Sequence, residues 1–209
     1  MIKIDLITGF LGAGKTTFIK KYASYLIKQG KKIGILENDF GAVNVDMLLL
    51  QDLEGDNCSL EMIAGGCDAD CHKRRFKTKL IAMAMSGYDR VIIEPSGIYD
   101  VDEFFDALYE EPLDRFYEPG NVIALVDAGL EQDLSKEAKY LLASEAADAG
   151  CVLFSKCDEV SEEQIKNTLS YLNQALEQVH CKRRFTLDQI LCKNWKDLNE
   201  DDYKTPADL

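Results

Sequence analysis

The sequence is short of basic residues and lacks long apolar runs, and both shortages narrow the possible functions. Lys and Arg number 24 against 37 Asp and Glu, which leaves a formal net charge of -13. Binding nucleic acid or anionic lipid nonspecifically requires clustered positive charge, so we expect neither a nucleic-acid nor a membrane partner. No segment approaches the ~20 consecutive apolar residues that span a bilayer. Because Met1–Asp5 leads directly into a Gly-rich motif and not into a removable signal, we expect a cytoplasmic protein.

Cysteine is also too sparse for a disulfide framework. Seven cysteines scattered through 209 residues do not resemble the dense pattern of a small secreted fold, so we expect free thiols, some of them metal ligands. Four of them have no ligand-type neighbours, apart from His180 beside Cys181. These four, interpreted as core or surface thiols, are Cys151, Cys157, Cys181 and Cys192.

Short apolar runs separated by helical patterns predict the fold class. Phe18, Ile19, Tyr22, Tyr25 and Leu26 recur at helical spacing and predict a helix over Thr16–Lys28. Buried strands that alternate with helices indicate a three-layer α/β fold with a mostly parallel central sheet. The predicted strands are residues 2–7, 32–36, 91–93, 122–126 and 151–154.

We expect one domain over residues 1–180, because no repeat, low-complexity tract or linker interrupts it. Residues 181–209 show no clear pattern, and we interpret them as an extension of that domain. The acidic Asn199–Tyr203 run within them is predicted to be a solvated tail.

The strongest motif is Gly9-Phe-Leu-Gly-Ala-Gly-Lys-Thr16, which matches G-x-x-x-x-G-K-[ST] between a predicted strand and helix. Glycines let backbone N–H groups surround phosphate oxygens, and the helix N-terminus adds a favourable dipole. Lys15 is expected to reach the β and γ phosphates, and Thr16 to ligate Mg²⁺. The predicted nucleotide contacts of this phosphate loop are Gly9, Gly12, Ala13, Gly14, Lys15, Thr16 and Thr17.

A second motif, Ser155-Lys-Cys-Asp158, follows a predicted strand where a nucleotide base lies in this architecture. The Asp158 carboxylate is able to accept hydrogen bonds from guanine N1–H and the exocyclic amine, whereas adenine offers no matching pair of donors. The Lys156 stem is expected to lie along the base. Ser155 stands where many GTPases carry Asn, and an ordinary Ser-Lys turn is the alternative.

Two acidic motifs complete the predicted phosphate site. Glu37-Asn-Asp39-Phe-Gly follows the second strand, and Asp39 and Asp46 are candidates for holding Mg²⁺ or orienting the attacking water. Glu94 ends the apolar strand of Ile92-Ile-Glu-Pro-Ser-Gly97 and is expected in the outer shell of Mg²⁺ or beside the water. Gly97 is expected to donate its N–H toward the γ phosphate, with a structural turn as the alternative.

The Gly65-Gly-Cys67-Asp-Ala-Asp-Cys71-His72 segment brings two thiols and an imidazole together within six residues. This soft set suits Zn²⁺, Ni²⁺ or Co²⁺, with Glu37, Cys58 or a dimer mate able to complete four-coordination. A redox pair and purely structural cysteines remain open, because a Cys-x-x-x-Cys spacing also places both thiols on one helix face.

These motifs in this order resemble the metallochaperone-type GTPases that include the CobW, UreG and HypB proteins, over roughly residues 1–160. The resemblance implies GTP hydrolysis, a nucleotide-dependent homodimer, and delivery of a metal or metallocofactor to a client metalloprotein or maturation protein. CobW members carry a further C-terminal domain for which this chain is too short, so its length is similar to UreG and HypB. The metal motif of the family is matched only at Cys67, since the next cysteine falls four residues on.

Two other functions fit the same motifs. A P-loop small-molecule kinase would need an acceptor pocket and an arginine lid, and it would not need the guanine carboxylate Asp158. A nucleotide-gated scaffold or metal-storage module, in which slow hydrolysis only times association, matches every motif quoted above.

Overall fold

The computed structural model of the chain describes residues 1–10, 12–39, 45–64, 69–95 and 101–208. Its strands and helices alternate along most of the sequence. The strands are β1 Ile2–Gly9, β2 Ile33–Asp39, β3 Cys58–Ala64, β4 Arg90–Pro95, β5 Tyr117–Asp127, β6 Cys151–Ser155 and β7 Ile190–Cys192. The helices are α1 Lys15–Lys28, α2 Val45–Leu50, α3 Ala69–Ala84, α4 Val101–Tyr109, α5 Lys136–Asp148, α6 Glu162–Gln178 and α7 Glu200–Asp208.

The strands form a seven-stranded sheet in the order β3-β2-β4-β1-β5-β6-β7. The pairs β1·β4, β2·β3, β2·β4, β5·β6 and β6·β7 all run parallel. This confirms the α/β class with a mostly parallel sheet. Each of the five predicted strands is present and ends beyond its predicted last residue, although β2 begins one residue later than predicted.

The chain divides into two compact units, of which the first comprises Met1–Ile7 and Thr16–Gly120. A buried polar network joins three of its elements. The Arg90 guanidinium donates to Asp5 Oδ2 at 2.8 Å and to the Tyr22 hydroxyl at 2.8 Å, and that hydroxyl donates to Asp5 at 2.9 Å. Burial, and then the Asp5 charge, raise the pKa of Tyr22. The network ties β1, α1 and β4 together inside an otherwise apolar core.

The second unit comprises Thr8–Lys15 and Asn121–Leu209. Helix α5 packs against α6, and the Thr168 hydroxyl of α6 donates to the Ala128 carbonyl at 2.7 Å. Helix α6 begins with a capping box, in which Ser161 and Gln164 each satisfy a backbone N–H of the other. These contacts fix the helices that follow β5 and β6.

The C-terminal residues differ from their prediction. The acidic Asn199–Tyr203 run, expected to be a solvated tail, leads into α7, and the Tyr203 side chain is buried. Asn199 Oδ1 caps the helix by accepting from the backbone N–H groups of Asp201 and Asp202. Lys193 pairs with Asp202 at 2.6 Å. The prediction was wrong because a run of acidic residues at a helix N-terminus has the same composition as a solvated tail.

Across the part of the chain that the structure describes, no helix has both the length and the apolarity that a membrane span requires.

Candidate functional site

The phosphate loop joins β1, which ends at Gly9, to α1, which begins at Lys15. Gly14 has a φ of +87°, a left-handed conformation that glycine adopts without strain. Gly9 has a φ of +137°, and a side chain there would collide with the Leu125 backbone carbonyl. Glycine is therefore favoured at both positions, at Gly14 by its backbone conformation and at Gly9 also by the close approach of the Leu125 carbonyl.

Lys15 lies at the end of this loop with its side chain largely buried. Its Nζ donates to the Gly9 carbonyl at 2.9 Å and to the Phe10 carbonyl at 3.4 Å. The ammonium group of Lys15 therefore lies against the backbone at the start of the loop, and its contact with the β and γ phosphates stays a prediction.

Thr16 and Glu94 meet within the first unit. The Thr16 hydroxyl donates to Glu94 Oε2 at 3.2 Å, and the two side chains are only 8% and 6% exposed. Glu37 of β2 is the register partner of Glu94 on β4 and is 2% exposed. The buried carboxylates of Glu37 and Glu94 therefore lie near the ends of neighbouring strands, and the Thr16 hydroxyl contacts the second of them. Such oxygen donors fit Mg²⁺, which takes few protein ligands and keeps several waters.

The remaining switch residues are only partly described. Asp39 is the last residue of β2 and pairs in register with Ala64, while Asp46 belongs to α2. The side chains of both lie outside the described residues, and so do Gly97 and Cys67 entirely. Their roles stay predictions.

The residues predicted to read the base follow β6 in the second unit. The backbone of Lys156 adopts a φ of 55°, a left-handed conformation unusual for a side chain of this length. Its Nζ pairs with Asp127 Oδ2 at 2.5 Å, at the end of β5. Ser155 is fully buried, and its hydroxyl donates to the Val126 carbonyl at 3.4 Å. Asp158 is exposed at the tip of the turn.

The residues after β7 return to this turn, which the sequence did not predict. Cys157 and Cys192 form a disulfide, so the expectation that both are free thiols was wrong. The Asn194 side-chain amide donates to Asp158 Oδ2 at 2.5 Å. The Trp195 indole lies close to Gly14, because a Cβ atom at this position would be 3.0 Å from the indole Nε1. We name residues 192–195 the C-terminal strap.

Glu145 of α5 is a second residue that no motif indicated. It is 9% exposed and lies beside Lys15, and it accepts a hydrogen bond from the Gly9 backbone N–H. Burial raises the pKa of Glu145 to about 7, although the Lys15 charge and the Gly9 hydrogen bond both lower it. A carboxyl group that titrates near neutrality therefore faces the phosphate loop.

The described part of the predicted transition-metal set does not form a complete site. Cys71 and His72 are consecutive residues of α3, so their side chains leave the helix about 100° apart. Cys58 pairs in register with Ile33, four residues before Glu37 on β2, which puts the two about 13 Å apart along the sheet. Within the described ranges, no group of three His, Cys, Asp or Glu side chains is arranged to hold a metal ion.

A cavity of about 670 Å³ opens beside Cys71 in the first unit. Its lining includes Met62 of β3 and, from α3, Arg74, Arg75 and Lys79. Lys79 pairs with Glu61 at 2.5 Å. The cavity is thus a basic concavity on a strongly acidic protein.

The sequence has recognisable relatives. It is 30% identical over 181 residues to the zinc chaperone YjiA of Escherichia coli, covering 82% of this chain and 55% of the relative. It is 22% identical over 187 residues to the zinc-regulated GTPase metalloprotein activator 1 of Schizosaccharomyces pombe, covering 86% of this chain and 44% of the relative. The chain spans about half the length of the curated relatives it matches.

Solved structures share the fold. Nickel-bound HypB from Helicobacter pylori superposes with a TM-score of 0.57 at 19% identity, covering 97% of this chain and 82% of that one. Zn(II)-bound YjiA GTPase from E. coli gives a TM-score of 0.51 at 24% identity, covering 82% of this chain and 54% of that one. These likenesses confirm the α/β architecture of P-loop proteins.

Residues 3–186 match the family described as CobW/HypB/UreG, nucleotide-binding domain. The match covers the phosphate loop, Glu37, Glu94 and the turn that carries Asp158. The chain therefore belongs to the CobW/HypB/UreG family, as the order of its motifs predicted.

Proposed function

We propose that this chain binds GTP with Mg²⁺ and hydrolyses it to GDP and phosphate, and that hydrolysis drives delivery of a transition metal or metallocofactor to a client protein. The observation that carries the proposal is the contact between Thr16 and Glu94 at the first turn of α1. A hydroxyl and a buried carboxylate at that point are the groups that a nucleotide-bound Mg²⁺ needs.

Each group has a separate task in this proposal. The backbone N–H groups of the phosphate loop bind the phosphates, and Lys15 neutralises charge that builds on the β–γ bridging region. Thr16 and Glu94 would hold Mg²⁺, which supplies further neutralisation of the phosphate charge when bound. Asp39 and Asp46 follow β2 and are the candidates for orienting the attacking water.

Guanine specificity is assigned to the turn after β6. Asp158 is exposed there, so its carboxylate is available to accept the two guanine donors. The Lys156–Asp127 pair holds the lysine stem against the end of β5, next to a cavity of about 320 Å³ lined by Phe10, Ala13 and Asp127. One compact unit thus contains the phosphate loop as far as Lys15 together with the base-reading residues.

The metal is cargo in this proposal, and its ligands are assigned to Cys67, Cys71 and His72 with Glu37. The support is membership of the family, together with relatives named zinc chaperones and a nickel-bound structural neighbour. Client recognition and a nucleotide-dependent homodimer belong to the same proposal. The basic cavity beside Cys71 gives an acidic client segment a complementary surface near that cargo.

The test is phosphate release from GTP with Mg²⁺ by the wild-type chain and by Lys15→Ala. Loss of the ammonium group should lower turnover on the order of a hundredfold, because the developing phosphate charge loses its main protein cation. Lys28→Ala, at the exposed end of the same helix, is the matched control and should keep wild-type turnover. Normal hydrolysis by Lys15→Ala would overturn the proposal.

A further inference from the structure

The C-terminal strap, residues 192–195, makes three contacts with the candidate nucleotide site, all within the second compact unit. Cys192 is joined to Cys157, Asn194 is hydrogen-bonded to Asp158, and Trp195 lies against Gly14. Two of the three partners are consecutive residues of the turn that carries the base-reading carboxylate. The third belongs to the phosphate loop. The strap therefore spans both parts of the site.

The Asn194 contact affects the orientation of Asp158. Its amide donates to Asp158 Oδ2 at 2.5 Å, and Asp158 itself is exposed. An ionised carboxylate has about four acceptor positions, so one hydrogen bond from Asn194 leaves room for two from guanine. Asn194 thus orients the Asp158 carboxylate and leaves enough acceptor positions free for guanine.

The Trp195 contact covers the phosphate loop. Because the indole Nε1 would lie 3.0 Å from a Cβ at Gly14, the ring rests on the loop backbone. Trp195 is the single tryptophan of the sequence, so fluorescence excited at wavelengths that tyrosine does not absorb reports the surroundings of the strap.

The disulfide adds a covalent link between the strap and the turn, beside the pairing of Cys192 with Phe154 in the sheet. The Cα atoms of Cys157 and Cys192 lie 6.1 Å apart, within the range that a disulfide spans, and both residues are half-buried. Small thiols and peroxides therefore reach this pair. By contrast, burial raises the pKa of Cys58 and of Cys151 to about 11, which leaves those thiols unreactive near neutral pH.

We propose that Cys157 and Cys192 are a reversible redox-modification site, and that forming their disulfide raises the affinity for guanine nucleotide by fixing Asn194 on Asp158 and Trp195 on Gly14. The inference rests on the proposed recognition of guanine by Asp158. It adds a regulatory input that the metal-delivery function does not require.

The chemistry balances with a hydroperoxide as oxidant. The two thiols lose two electrons and two protons to form the S–S bond, and the hydroperoxide is reduced to an alcohol and water. A small thiol reverses the step by attacking one sulfur, which releases one cysteine and leaves a mixed disulfide on the other. A second small thiol then releases that cysteine and leaves as the small-molecule disulfide. Reduction removes the covalent link and leaves Asn194 and Trp195 in place only through noncovalent contacts. Binding guanine must then bear more of the entropic cost of ordering Asp158.

The experiment compares the oxidised and reduced wild-type chain, with the linked Cys157–Cys192 peptide quantified by mass spectrometry after alkylation. Calorimetry gives the GDP affinity with Mg²⁺, and acrylamide quenching gives the exposure of Trp195. Reduction should weaken GDP binding about fivefold, the effect of freeing one or two side chains. It should also increase acrylamide quenching.

Three variants complete the test. Cys192→Ser should bind GDP like the reduced wild type, and oxidant should not change its GDP affinity. Cys181→Ser keeps both Cys157 and Cys192, so its GDP affinity should change on oxidation as that of the wild type does. Asn194→Ala should weaken GDP binding while the disulfide still forms. Equal GDP affinity in both redox states, tighter binding after reduction, or failure of the disulfide to form would overturn the inference alone. If neither state binds GDP, the proposed function falls with it.

Discussion

Thr16 and Glu94 lie 78 residues apart in the chain, yet the Thr16 hydroxyl donates to the Glu94 carboxylate at 3.2 Å. The parallel pairing of β1 with β4 brings them together, because the loop after β1 leads into the first turn of α1 at the same edge of the sheet where β4 ends. The contact links the start of α1 to the second acidic motif.

Glu94→Gln should lower Mg²⁺ affinity in the nucleotide complex by tenfold to a hundredfold, the usual effect of removing a group that supports a bound metal. The neutral amide keeps the size of the side chain but not its charge. Titrating Mg²⁺ into the protein with bound GDP measures this. Glu103→Gln, on the exposed face of α4, is the matched control and should leave Mg²⁺ affinity unchanged.

The pKa of Glu145 predicts an unusual pH dependence of stability. Burial raises its pKa in the folded chain to about 7, above the ordinary glutamate value of 4.5, so the folded chain holds a proton that the unfolded chain releases between these pH values. The free energy of unfolding therefore falls as pH rises from 4.5 to 7. Glu145→Gln removes this dependence and should be more stable than wild type by up to about 3 kcal/mol at pH 8.

Urea denaturation at intervals from pH 4.5 to pH 8 measures this difference, which should vanish at the acidic end. Glu159→Gln, at an exposed position, is the control and should follow the wild-type curve. A Glu145→Gln protein less stable than wild type throughout would show that the ionised carboxylate stabilises the phosphate loop.

The sequence offers candidates for the site because their signals are local. The phosphate loop is a contiguous motif, and Glu94 and Asp158 each come at the end of an apolar strand, where ligands bind in this fold class. These site residues and their roles stay predictions until binding is measured. The family assignment, in contrast, is confirmed by the match over residues 3–186.

The residues that the sequence missed depend on contacts between distant elements. Glu145 lies inside an ordinary helical segment, and only the packing of α5 brings it to Lys15. Strand β7 has three residues, too short to show a period. The pairing of Cys157 with Cys192 spans 35 residues, and sequence alone does not determine which of seven cysteines are joined.

Asp158→Asn should abolish the preference for guanine. The amide replaces one acceptor oxygen by an NH₂ donor, so at least one hydrogen bond to guanine is lost. That NH₂ group would also face an N–H group of guanine, and two donors cannot pair. We expect GDP affinity to fall by tenfold to a hundredfold while ADP affinity stays unchanged, as measured by competition with a fluorescent nucleotide. Asp197→Asn, exposed just beyond the C-terminal strap, serves as the control. An equal loss for both nucleotides would indicate a structural role for Asp158.

The central claim is that this domain is a guanine-nucleotide site whose state is coupled to a metal. Calorimetric titration of GDP, ADP and a nonhydrolysable GTP analogue with Mg²⁺, with Zn²⁺, Ni²⁺ or Co²⁺ added before or after the nucleotide, tests it most directly. The account predicts that GDP binds at least tenfold more tightly than ADP and that the nucleotide changes the affinity for one of the three metals. Equal affinity for GDP and ADP would contradict it.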